Sequence, residues 1–148
     1  MGGHFYWYVV DYQNDIAKAL NDLREREFSA GRYYPVFKYP DQFLSASPQP
    51  APGAKHRSIA DAMRAAAEEG TRSILDLDRI APSPRSCAVT RLDGGILLDL
   101  YGTTEPTREM VEPDFAFSEY MERGEGVYII LYEGGKPRHI LFAGYSFD

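Results

Sequence analysis

The run Phe5-Tyr6-Trp7-Tyr8-Val9-Val10 constrains this chain more than any other stretch. Consecutive aromatic and β-branched residues favour a strand, and alternation along it puts Phe5, Trp7 and Val9 on one face and Tyr6, Tyr8 and Val10 on the other. Both sets are apolar, so the segment is expected to be a central strand with another layer packed on at least one side. Material for that layer follows at once. Asn14 to Ala30 reads as one amphipathic helix, in which Ile16, Ala19, Leu20 and Leu23 form an apolar stripe. Lys18, Asp22, Glu25 and Arg26 fall away from it. Asn14 offers an N-cap oxygen, and Gly31 suits the left-handed C′ position.

Tyr34 and Lys38 share the Tyr-x-x-x-Lys spacing of some dehydrogenases, but Pro35 forbids the helix that spacing needs, and no glycine-rich turn precedes it. Residues 45–58 carry three prolines at alternate positions and read as an extended, solvated loop ending in Lys55-His56-Arg57. Ser58 opens a second helix, with Asp61 three residues on, and Ile59, Ala62, Met63 and Ala66 make its narrow apolar face.

Beyond it, Ser73–Ile80 is expected to be a strand, as is Cys87–Leu92 after the prolines at 82 and 84. Asp93-Gly94-Gly95 admits a hairpin turn. A helix over 96–101 stopped by Gly102 is preferred, since Leu97, Leu100 and Tyr101 share a face and Thr107 offers a new cap. Phe117, Tyr120 and Met121 mark a further helical stripe. Val127–Tyr132, the turn Glu133–Pro137 and the return Arg138–Tyr145 form the clearest hairpin. Gly124-Glu125-Gly126 precedes a strand and lacks a third glycine, and Gly134-Gly135-Lys136 lacks the spacing and helix of a phosphate loop. Together these elements predict one α+β domain over 1–148. It has a mostly antiparallel sheet of four or five strands, two N-terminal helices on one face, and an acidic helical segment before a C-terminal β-hairpin. That segment is expected to cover an edge or form a lobe.

Chemistry is sparse. The lone Cys87 excludes an internal disulfide and a four-cysteine zinc site, and His4, His56 and His139 have no ligand spacing, so neither metal nor cofactor is expected. The apolar start is too short for a signal sequence and no run approaches membrane-spanning length, so the expectation is a cytoplasmic protein without a membrane partner. A formal net charge of −6 disfavours nucleic acid. Asp76 and Asp78, which would share a face of the expected strand, are candidate catalytic carboxylates with Arg72 beside them. They suit a small hydrolase or transferase with a cleft gated by the 45–58 loop. The competing reading is a strand with one wet face, Leu75 and Leu77 pointing inward. Cys87 and His139 both fall in apolar strands, which makes Cys87 a structural residue rather than half of a thiolate–imidazole pair.

The strongest asymmetry is acidic. Residues 93–125 hold nine acids against Arg108 and Arg123, a local −7. One reading is a solvated helix face. The sharper one is a docking surface for a basic protein, with Glu105, Glu109, Glu112, Asp114 and Glu119 steering the partner and Phe117 and Tyr120 as anchors. In charge and size the chain resembles, in general character, bacterial toxin-neutralising proteins and nucleic-acid mimics, a likeness of composition that no motif carries. The leading expectation is therefore a non-enzymatic, immunity-like binding or inhibitory domain. A homo-oligomer paired through the edge of the C-terminal hairpin is compatible with either function.

Overall fold

The computed structural model describes residues 3–36 and 52–147. Its centre is a five-stranded sheet with apolar residues on both faces. The strands are β1 (Phe5–Asp11), β2 (Arg79–Ile80), β3 (Ala88–Arg91), β4 (Gly126–Glu133) and β5 (Lys136–Tyr145), in the order β1-β5-β4-β3-β2. The long ladders β1/β5 and β5/β4 are antiparallel, whereas the short β4/β3 and β3/β2 ladders are parallel. The fold is α+β as expected, with a mixed sheet in place of a mostly antiparallel one. The crossover between β3 and β4, occupied by the acidic segment, makes that pair parallel.

Alternation along each strand explains the two layers. Tyr6, Tyr8, Tyr128, Ile140, Phe142 and Val89 face one side, where Ala19, Leu20 and Leu23 of α1 (Ile16–Ala30) and Ala62 of α2 (Ile59–Ala66) meet them. Val127, Ile129, Leu131, Leu141 and Ala143 face the other, against Leu97 of α3 (Gly94–Tyr101), Val111 of α4 (Arg108–Val111) and Phe117. The two N-terminal helices thus share one face, and the acidic segment roofs the opposite face instead of an edge. Leu97 and Val111 on its inner side have no other apolar surface to cover.

Helix ends follow the local chemistry closely. Asp15, rather than Asn14, caps α1, its side chain accepting from the Lys18 amide at 3.0 Å. Gly31 stops the helix at φ 75°, and Gly102 stops α3 at φ 72°. Ser58 caps α2 through the Asp61 amide. The β4/β5 turn is tighter than expected, Gly134-Gly135 at positive φ, and Pro137 pairs with Tyr132 at a register shift where its missing N–H is tolerated.

Two expectations fail for stated reasons. Ser73–Ile80 is not a strand: the Ser73 hydroxyl accepts from the Leu75 amide and opens a 3-10 turn over Ile74–Asp76, leaving only Arg79–Ile80 in the sheet. The Phe5–Val10 run, apolar on both faces, is a doubly covered strand at the sheet's edge, not its centre. The central place goes to the C-terminal hairpin, flanked by β1 and β3, so pairing of a second copy through its edge is blocked along β5 and along the first half of β4. Of the 45–58 loop, residues 45–51 lie outside the described residues, as does Lys38. Residues 53 and 54 return to the end of α1, where their amides donate to Ala30 and Ser29.

Candidate functional site

Asp76 and Asp78 are separated by the 3-10 turn. Asp78 is exposed and pairs with Arg79 at 2.8 Å. Asp76 is 2% exposed, with one carboxylate oxygen taking the Thr71 amide at 2.8 Å and the Thr71 hydroxyl at 2.7 Å. Its other oxygen lies close to Gly70: a β-carbon there would stand 2.8 Å from it and 2.8 Å from the Phe147 ring. Burial raises the Asp76 carboxyl above its ordinary range, opposed by the Thr71 and Arg72 hydrogen bonds and by the Arg24 charge. The two carboxylates therefore do not share a face. Arg72 stacks on the Tyr34 ring, 4.5 Å from its centroid, and reaches Glu69. Asp76 reads as the keystone of the 70–77 turn, holding Thr71, while Thr71 in turn bonds Ser73. Cys87, expected in a strand, sits just before β3 at φ 64°, half-buried, with Ser86 as its hydrogen-bond neighbour. His139 lies on β5 beside a small cleft with Arg108, Tyr132 and Glu133. Among the described residues no three His, Cys, Asp or Glu side chains are grouped to hold a metal ion, and no helix is long and apolar enough to cross a membrane.

The acidic segment divides into committed and uncommitted carboxylates. Asp93 caps α3 through the Gly95 amide, and Asp114 accepts from the Ala116 amide. Glu112 pairs with Arg108, and Glu125 accepts from the Glu122 amide. The remaining five, Asp99, Glu105, Glu109, Glu119 and Glu122, are exposed, and their side chains make no ion pair or hydrogen bond among the described residues. Of the expected binding residues, Glu105, Glu109 and Glu119 thus stand free for a partner, whereas Glu112 and Asp114 are spent on the segment itself.

The expected anchors also divide. Phe117 is completely buried, packed on Phe5 and Phe115, and cannot touch a partner. Tyr120 is 54% exposed, and the segment holding both is a 3-10 turn (Ala116–Tyr120) in place of the expected helical stripe. Two further exposed apolar residues, Leu98 and Met110, were not expected. Leu98 was legible: Ile96-Leu97-Leu98 with Leu100-Tyr101 is apolar around most of a helix that covers the sheet with one side, so one leucine must face out. All three exposed large hydrophobics among the described residues lie in this segment. Beside Tyr120 a cleft of about 180 Å³ runs between Pro82–Pro84 and Leu92, Asp93 and Ile96.

Comparison with models of known protein families, with curated proteins and with solved structures gave no match.

Proposed function

We infer that the chain is a non-enzymatic protein-binding domain of inhibitory, immunity-like type, which docks a basic protein on the face formed by 93–125. The observation that supports this most is the coincidence in one segment of five uncommitted carboxylates with Leu98, Met110 and Tyr120 exposed among them. Unpaired acids steer and select a cationic partner, and exposed apolar side chains between them supply area to desolvate. The separation of Asp76 from Asp78 takes away the carboxylate pair on which a hydrolase or transferase reading rested. A cytoplasmic setting, where the Cys87 thiol stays reduced, belongs to the same proposal.

Affinity capture from native lysate at about 50 mM and about 300 mM salt tests it, comparing wild type with Glu105→Lys/Glu109→Lys/Glu119→Lys. Among the described residues these three carboxylates hold no hydrogen bond or ion pair, so the variant is expected to keep wild-type stability. Basic proteins retained by wild type at low salt are lost with the variant, and the association rate of the identified partner falls roughly tenfold or more. Identical captures with both proteins overturn the reading.

A further inference from the structure

We propose that β1 is a self-association edge, pairing antiparallel with β1 of a second copy of this chain. The hydrogen-bond register carries the inference. The Tyr12 amide donates to the Arg138 carbonyl at 3.1 Å and the Ser146 amide to the His4 carbonyl at 3.0 Å, so the even-numbered residues of β1 turn their backbone groups toward β5. Phe5, Trp7, Val9 and Asp11 must then turn theirs away. Among the described residues nothing donates to or accepts from these outward groups.

The opposite edge of the sheet is blunted and this one is not. β2 is two residues long, set between Asp78 and Pro82 and carrying Arg79, all of which discourage strand addition. β1 runs seven residues without proline, glycine or a charge until Asp11. It has the composition of an interior strand, apolar on both faces, at a place where the described residues give it one neighbour.

A second copy fits that edge specifically. Antiparallel pairing about a twofold axis at Tyr8 sets Trp7 opposite Val9 of the second copy and Phe5 opposite its Asp11. The outward-facing residues then form the hydrogen-bonded pairs, four per strand with two groups each, which is eight hydrogen bonds; Tyr6 with Val10, and Tyr8 with its own mate, fill the non-hydrogen-bonded positions between them. Trp7 against Val9 is an aromatic–β-branched cross-strand pair, the favourable kind. On the helix side, a groove of about 190 Å³ between β1 and α1 is lined by Val10 and Leu23 and carries Asp22 and Arg26. Seven paired residues bury less than the roughly 1,200 Å² of a tight interface, so the dimer is weak and concentration-dependent.

Sedimentation equilibrium between about 10 µM and about 1 mM tests the proposal, together with residue-resolved amide exchange. The weight-average mass is expected to climb from 16.7 kDa toward twice that value. Over the same range the Trp7, Val9 and Asp11 amides gain protection, while Tyr8 and Val10 are slow throughout. Added salt strengthens the association, because each copy carries −6; docking to a basic partner weakens with salt, so the two readings fail separately. Val9→Pro removes one outward N–H and no internal ladder bond, and reduces dimer formation at least tenfold. Should that variant not fold, amide exchange on wild type decides alone. A constant monomer mass, or a rising mass without protection at the odd-numbered amides, overturns the proposal.

Discussion

Gly144→Ala puts the layered architecture to a quantitative test. Gly144 sits in β5 between Tyr6 of β1 and Gly126 of β4, and the end of the Tyr6 ring comes close to it. A β-carbon there would stand 2.6 Å from the Tyr6 hydroxyl oxygen, 2.7 Å from Cζ and 2.8 Å from Cε1. Ordinary carbon contacts are about 3.5–4.0 Å, so the ring must retreat by roughly 1 Å. It has little room, being 4% exposed and set beside Tyr8 at a centroid distance of 6.2 Å. Overpacking of this kind costs about 1–3 kcal/mol, and the lower unfolded-state entropy of alanine returns roughly 0.5 kcal/mol. The net loss is about 1–2 kcal/mol, a fall in Tm of roughly 2–8 °C for a domain of this size. Urea unfolding followed through the single tryptophan, Trp7, which packs 4.8 Å from Phe115, reads it directly. In a double-mutant cycle with Tyr6→Leu, the penalty of Gly144→Ala shrinks by about 1 kcal/mol or more once the ring is gone. An unaltered stability for Gly144→Ala, or strictly additive effects, would refute the close approach.

Two further predictions concern buried carboxylates. Asp76 has its proton affinity raised by burial in the folded state, so it contributes stability below the ordinary carboxylate value of 3.8, and that contribution is lost as pH rises through the higher folded value. Compared with Asp76→Asn, wild type therefore loses stability on going from about pH 4 to pH 7; Tm against pH for both proteins checks this, and a relative gain would contradict it. Glu27, fully buried, takes Arg32 at 2.9 and 2.7 Å with its two oxygens and Arg26 at 3.0 Å. Glu27→Ala leaves a mostly buried guanidinium unpaired and costs about 3–5 kcal/mol by urea unfolding, much of it recovered when Arg32→Met is added.

What the sequence conveyed was local. Periodicity and caps placed α1, α2 and α3 within a residue or two, since Ile16, Leu20 and Leu23, Ser58 and Gly102 act on their own neighbourhoods. Strand order was not legible: the apolarity of Phe5–Val10 reports burial on two faces and says nothing of how many strands lie beside it. The parallel pairing of β3 with β4 depends on the acidic segment crossing the sheet, which only the joint burial of Leu97, Val111 and Phe117 reveals. At Ser73–Ile80 side-chain oxygens outcompeted the sheet for backbone amides, and the Asp76/Asp78 pairing fell with that strand. For the acidic segment, composition located the surface, but the division into structural and uncommitted carboxylates required knowing which amides lie one or two residues away.

Carbodiimide cross-linking of the captured complex tests the central claim most directly, because it joins carboxylates to lysine amines in contact. The account predicts links from Glu105, Glu109 and Glu119, with Asp99 or Glu122 beside them, to lysines of the basic partner. Links from Asp15, Glu25 or Asp61 on the helix face, with none from 93–125, would contradict it.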